Sequence, residues 1–314
     1  MKMSKILILC RRDDRESYDK QSTMLAGFSQ LESQNEYFGA DYEDLVFVYD
    51  GAELRVTDGV SGTDVADYDG IFLIGWFKTK ALDDIARAVA HYAAAHNIPF
   101  ANSEAYHGRS FTKLSQCVIA ALNGARVTPF VFSMDGARLM QAAKQYFTQF
   151  PFIAKAVAAS RGNDNHLITN YEQLDQVIHA EYDPQMYFIV QEFIPNDGDY
   201  RILVMGGEVT RVIHRKAAGD SHLNNTSQGG TATLIEPSTL PQKVIDDSIA
   251  LAKLLRREVT GVDMVCHKET GEYYFLEANN MPQLATGSNV PAKLSALDDY
   301  FARLVAGTAK RYLD

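Results

Sequence analysis

The densest set of side chains able to do chemistry lies in TGVDMVCHKETGEYYFLEANN, residues 260–280. Two apolar, strand-like runs flank a polar turn there, which predicts a β-hairpin. If Glu269-Thr270-Gly271 forms a three-residue loop with Gly271 in the left-handed position, Lys268 faces Glu272 and Asp263 faces Glu277. Directly opposed residues share a face with Cβ atoms about 5 Å apart, and Asn279, two positions beyond Glu277, joins them. Two like carboxylates so placed repel unless a cation or a proton lies between them. A hard divalent cation such as Mg2+ answers that conflict, because it takes oxygen ligands, commonly one or two carboxylates plus substrate phosphates. A solvated polar face is the alternative.

Lys155 lies inside the apolar run PFIAKAV (151–157), where strand alternation puts it on one face with Ile153 and Val157. A buried ammonium needs an anion, either a nucleotide phosphate or an internal carboxylate. The loop Ala158-Ala159-Ser160-Arg161-Gly162-Asn163-Asp164 follows, small and polar enough to cover phosphates with backbone N–H groups or to be an ordinary connection. Gln191-Glu192-Phe193-Ile194 ends a strand before a Pro and Gly turn, where backbone groups can meet an adenine edge or simply mark a strand end. Asp199 and Arg201 follow at strand spacing, and Arg215-Lys216 closes the next strand, bringing positive charge to any phosphoryl group they face. Asn224 and Asn225 open NNTSQGG (224–230), which suits anion contact and equally a plain turn.

Other chemistries lack their residues. His107, His166 and His222 have no metal-ligand spacing, and neither a Gly-x-Ser-x-Gly elbow nor a Gly-x-x-x-x-Gly-Lys-Ser/Thr loop is present. Cys10, Cys117 and Cys266 are odd in number and far apart, against a disulfide framework or zinc cluster and in keeping with a reducing cytoplasm. A formal net charge of -10 disfavours nucleic-acid backbones and anionic membranes as partners. No apolar run approaches the roughly 20 residues of a membrane-spanning helix, and MKMSKILILC is too briefly apolar for a secretory segment, so it reads as a first strand.

The elements that must position these residues follow from periodicity. Strands are expected at 6–10, 45–49, 54–57, 71–75 and 98–101, with helices near 19–32 and 82–93, the pattern of an open sheet flanked by helices. Helices at 111–122 and 136–149 precede a mixed unit: strands at 151–157, 166–168 and 187–191, a helix begun by the capping box Asn170-x-x-Gln173, and a strand pair from 201. A helix at 241–256, the hairpin and a C-terminal helix complete the chain, with no internal repeat. At 314 residues the length suggests two or three packed units of mixed α/β and α+β character.

In chain order, Lys113, Lys155, QEFI (191–194), DYR (199–201), HRK (214–216), NNTSQGG, GVDMV (261–265) and LEANN (276–280) resemble the ATP-grasp superfamily, in particular its RimK-like glutamate ligase branch. The resemblance spans roughly 111–304; the first hundred residues resemble only the generic amino-terminal domain of such enzymes. It implies an open α/β domain at 1–102, a first ATP-grasp lobe at 103–190 and a second lobe with the metal site at 191–314. It implies ATP and Mg2+, or Mn2+, as cofactors. It makes Lys113 and Lys155 phosphate-binding, puts adenine at the backbone of Glu192 and Phe193 and ribose at Asp199, and assigns Asn224 and Asn225 to the triphosphate. Arg215 goes to a developing acyl phosphate, with Lys155 and Arg201 adding catalytic charge, and Asp263, Glu277 and Asn279 to magnesium. The implied reaction joins a small-molecule or peptide carboxylate to an amine; a hydroxyl kinase and a non-catalytic nucleotide-binding scaffold are the alternatives. A homo-oligomer is allowed. Two departures stand out: the loop after Lys155 has one glycine where the family has several, and Met281-Pro282-Gln283 replaces the usual Ser-Pro-Gly, so glutamate specificity does not carry over.

Overall fold

The computed structural model describes residues 3–12, 21–76, 79–108, 111–157, 165–179, 187–217 and 230–313. The chain opens with β1 (Ser4–Cys10), α1 (Gln21–Phe28) and β2 (Asn35–Asp41), then the ribbon β3 (Leu45–Tyr49) and β4 (Leu54–Asp58). β5 (Gly70–Leu73), α2 (Lys80–Ala95) and β6 (Phe100–Ala101) complete a parallel sheet of order β2-β1-β5-β6. Its inner strand β1 is apolar throughout Ile6 to Cys10 because both faces are covered. α2 starts at Thr79, whose hydroxyl accepts from the Leu82 N–H, and buries Leu82, Ala86, Val89, Ala90 and Ala93 at helical spacing.

Next come α3 (Lys113–Leu122), β7 (Phe130–Phe132), α4 (Gly136–Tyr146), β8 (Phe152–Ala156), β9 (Asn165–Ile168), α5 (Tyr171–His179) and β10 (Phe188–Glu192). The four strands form an antiparallel sheet, β7-β10-β8-β9, with α4 and α5 on one face over Phe152, Ala154, Ile168 and Val190. Asn170 caps α5 by accepting from the Gln173 N–H, but the return bond of Gln173 falls on the N–H of Thr169, one residue earlier than a standard capping box.

The remainder comprises β11 (Asp199–Met205), β12 (Glu208–Lys216), β13 (Thr231–Ile235), α6 (Gln242–Leu254), β14 (Val259–Cys266), β15 (Tyr273–Asn279) and α7 (Val290–Val305). The strands form a five-stranded antiparallel sheet, β13-β12-β11-β14-β15. One face packs on α6 and on Ala120 of α3; the other packs through Leu203, Met205 and Val259 against α7 and, beyond it, Ile6, Ile8 and Phe72 of the parallel sheet. Packing order therefore departs from chain order: α3 serves the last sheet, and the C-terminal helix sits between the first sheet and the last. Three strands have no counterpart in the sequence-based expectation, β2, β7 and β13, and each lies at the edge of its sheet.

Candidate active site

Strand register brings four charged residues together on the last sheet. Asp199 pairs with Arg215 across β11 and β12, and Arg201 pairs with Asp263 across β11 and β14. Each pair shares a face and closes a two-point bond: Arg201 Nε and Nη2 donate to Asp263 at 2.8 and 2.7 Å, and Arg215 Nε and Nη2 donate to Asp199, both at 2.7 Å. Arg215 Nη2 also reaches Asp263 Oδ2 at 3.0 Å. None of the four is more than 8% exposed. Burial works against the charge of Arg215, but Asp263 and Asp199 hold its pKa above the usual value. Burial likewise opposes ionisation of Asp263, yet Arg201 and Arg215 outweigh it and keep that carboxyl below the usual range.

Two glycines make the cluster possible. Gly198 (φ +127°) lies against the Arg215 carbonyl, where a side chain would collide. At Gly261 a Cβ would come within 2.7 Å of Pro282 and 3.2 Å of Arg201 Cδ, so the bare backbone is what lets the arginine stem pass.

This geometry corrects the electrostatic argument drawn from the sequence. Asp263 does stand opposite Glu277, and Gly261 opposite Asn279. The cations that offset Asp263 are the two arginines, so the opposed carboxylates do not by themselves demand a metal. The register is also corrected near the turn: His267, not Lys268, bonds to Glu272, and the Lys268 N–H donates to the Pro195 carbonyl. A β-bulge between Asp263/Glu277 and Met264/Phe275 takes up the one-residue difference.

Glu277 is the more accessible carboxylate, its side chain 29% exposed, with Lys113 Nζ 3.8 Å from Oε2. The Asn279 carboxamide bridges the two acids, its nitrogen 3.2 Å from Asp263 Oδ2 and from Glu277 Oε1. Lys155, on the central part of β8, lies in electrostatic reach of Glu277, Lys113, Cys117 and Asp199. Burial, then Lys113, push its pKa down, and Glu277 opposes them. Cys117 of α3 is buried beside these groups, and burial raises its thiol to about 11. Lysines from α3 and β8 thus meet carboxylates of the last sheet at one place.

As a magnesium site the donor set fits: Asp263, Glu277 and Asn279 offer only oxygens once the amide is turned, and two carboxylates are the number such a site uses with phosphates. Among the described residues no group of three or more His, Cys, Asp or Glu competes for a cation.

At the end of β10, the Gln191 side chain is buried and donates to Thr128 Oγ at 2.7 Å. The Glu192 N–H donates to the Pro129 carbonyl at 2.9 Å, so an adenine edge must find its donor beyond it, from Phe193 onward. Asp199 gives both oxygens to Arg215, and each oxygen keeps a further lone pair. Asn224, Asn225 and the loop 158–164 lie outside the described residues.

The sequence reading missed several buried groups that brace the site. Lys293 of α7, 2% exposed, donates to the carbonyls of Gln283 and Thr286 and pins the loop after Asn280. Gln283 itself sits at φ +60°, with its amide oxygen 3.5 Å from Arg201 Nη1. Glu104 and Arg257 form a buried pair at 2.7 Å beneath β15. Only the burial of a lone Lys or Arg, invisible without the fold, marks these residues.

The antiparallel sheet with the half-buried Lys155, set against a second sheet carrying paired carboxylates, belongs to a fold that solved ATP-grasp ligases share along nearly the whole chain. The ATP-grasp ligase PsnB complexed with minimal precursor, Mg and ADP superposes with a TM-score of 0.68 at 15% identity, over 96% of this chain and 97% of that one. The D-alanine–D-alanine ligase from Bacillus anthracis complexed with ATP gives 0.66 at 16%, over 97% and 98%. A RiPP-associated ATP-grasp ligase of Chryseobacterium gregarium, with ADP and a leader and core peptide, gives 0.63 at 17%, over 99% and 98%. Residues 112–295 match the RimK-like ATP-grasp domain, more than half the chain, and the protein belongs to that family. Curated relatives include probable alpha-L-glutamate ligases of Trichodesmium erythraeum, 33% identical over 46% of this chain and 49% of that protein, and of Cellvibrio japonicus, 26% identical over 64% and 67%. The chain spans about half the length of the curated relatives it matches.

Proposed function

We propose that the protein is an ATP- and magnesium-dependent carboxylate–amine ligase that releases ADP and phosphate. The observation that supports this most is Lys113 beside Glu277, with Lys155 in electrostatic reach of the same carboxylate and Asn279 bridging it to Asp263, cations for phosphate oxygens beside oxygen ligands for a metal. Bound magnesium would neutralise the phosphate oxygens from the Asp263–Glu277–Asn279 side. Lys155, partly desolvated, binds phosphate strongly because its ammonium has lost water it would otherwise keep. Lys113 orients Glu277 until phosphate arrives. A substrate carboxylate oxygen attacks the γ-phosphorus and ADP leaves, giving an acyl phosphate. An amine then attacks the acyl carbon, the bond from that carbon to the phosphate oxygen breaks, and phosphate departs as the amine gives up a proton.

Arg201 and Arg215 bring positive charge to this region, and their bonds to Asp263 fix where that charge lies. Asp199 anchors Arg215, and we assign it to the ribose through the lone pairs that Arg215 leaves. We assign Asn224 and Asn225 to the triphosphate and the backbone from Glu192 through Phe193 to adenine, and divide the chain near residues 102 and 190. The relatives named as glutamate ligases and the neighbours bound to peptides suggest an amino acid or peptide as substrate. Gln283, standing at Arg201, argues against assuming glutamate itself. None of the three cysteines is disulfide-bonded, which suits the cytoplasm, and among the described residues no helix is long and apolar enough to cross a membrane.

The test is incubation with Mg-ATP and a panel of amino acids and short acidic peptides, following ADP, phosphate and product mass. Equal release of ADP and phosphate with a new amide is expected. Phosphate retained on the product would make the protein a kinase, and no turnover with intact ATP binding would make it a scaffold.

A further inference from the structure

Ala278 separates Glu277 from Asn279, and side chains hold both of its backbone groups. Its N–H donates to Gln116 Oε1 at 2.7 Å, and its carbonyl accepts from Arg257 Nη1. β15 is the edge of its sheet, so these groups face away from β14, where an unpaired edge would otherwise meet water or another strand. Gln116 and Arg257 extend to Ala278 the cover that Arg126 and Val127 give this edge at Phe275. One residue on, the Asn279 carbonyl accepts from Thr260 Oγ at 2.9 Å. Beyond it, Asn280 Nδ2 donates to Glu104 Oε1 at 2.6 Å, while Glu104 Oε2 accepts from Arg257 Nε at 2.7 Å. Gln116, Arg257, Thr260, Glu104 and Asn280 are all 9% exposed or less.

Side chains alternate along a strand, so clamping Ala278 sets the aim of the residues on either side. Gln116 lies one turn after Lys113 on α3, so the same helix contacts the Glu277 carboxylate and bonds the next backbone N–H.

We infer that Gln116, Arg257 and Thr260, with Glu104 behind Arg257, are positioning residues that hold Glu277 and Asn279 at the spacing a nucleotide-bound divalent cation requires. The inference rests on the Mg-ATP reading above. Groups of this kind, one bond removed from a metal ligand, typically change metal affinity by about 10–100-fold when lost.

Gln116→Met and Thr260→Val are near-isosteric, uncharged and each removes one of these bonds. The measurement is Mn2+ affinity of the protein–ADP complex, read from free Mn2+ by paramagnetic resonance, beside ADP affinity in EDTA by calorimetry. Each variant should bind Mn2+ about tenfold more weakly and bind metal-free ADP as the wild type does. An equal fall in both affinities, or unchanged Mn2+ affinity in both variants, would overturn the positioning role. Wild-type ADP binding that is the same in Mn2+ and in EDTA would overturn the Mg-nucleotide reading and this inference with it. Should Gln116→Met fail to fold, Thr260→Val alone decides.

Discussion

Two hairpins of this chain expose and bury opposite things. β3 reads Leu-Val-Phe-Val-Tyr, yet Val46, Val48 and Tyr49 are 46%, 47% and 68% exposed. β14 carries Asp263 at 3% exposure, with Arg201 of the adjacent β11 and Arg215 of β12, one strand further, almost as deep. The difference is one of neighbours. β3 and β4 form a two-stranded sheet of their own, bridged once from Thr57 to Asp64 and packed on the body of the protein through Leu45 and Val56, whereas β14 is an interior strand of a five-stranded sheet. Position in a sheet, not composition, decides what is buried, and buried charge persists because partners are supplied on adjacent strands.

The largest effect is expected where that supply is cut. Asp263→Asn leaves Arg201 without its counter-charge and should cost about 3–5 kcal/mol in urea unfolding at pH 7. Because the Asp263 pKa is lowered in the fold, its contribution is complete above the unfolded value of about 3.9 and is lost as pH falls through the lower folded value. The stability gap between wild type and variant should therefore close only in acid. A loss under about 1 kcal/mol at pH 7 would mean that the arginines do not depend on Asp263.

Glu277→Gln should lower ligation by about 10²-fold or more, since it removes a charge from the proposed metal site. Its ligand-free melting temperature should scarcely move: Glu277 is partly exposed, its ion pair with Lys113 is long, and the arginines already neutralise Asp263. Normal turnover, together with the full thermal gain on adding Mg-ATP, would show that the hairpin face is only structural.

Lys155→Met should weaken ATP binding about tenfold or more without destabilising the free protein. The Lys155 pKa is lowered by burial, so its ammonium is a cost to the fold at neutral pH that starts to fall as pH rises through the folded value and is gone above the unfolded value of about 10.4. A variant that unfolds readily but binds ATP normally would make Glu277 the true partner of this lysine.

The smallest effect belongs to the exposed ribbon. Val46→Thr with Val48→Thr should change stability by no more than about 0.5 kcal/mol and leave turnover unaltered. A larger loss that depends on protein concentration would reveal that a second copy covers β3 in solution, and the contrast between the hairpins would narrow.

Local pattern was enough to anticipate the central strands and the helices. Each of these depends on consecutive residues whose periodicity records which face is buried. The edge strands β2, β7 and β13 leave no such record. β2 reads Asn-Glu-Tyr-Phe-Gly-Ala-Asp and β7 has only three residues, because a strand with one neighbour needs little apolar alternation. The bulge in β15 was equally silent: it offsets a one-residue error in the register expected at the turn, and for that reason Asp263 still faces Glu277.

The partners of the charged groups lay furthest from view. Arg201 meets Asp263 across 62 residues, and Arg257 meets Glu104 across 153. The residue types announced that buried charge would need an opposite charge, whether metal, phosphate or side chain. Which of these it found depended on strands and helices that are distant in the chain, and only packing brings those together.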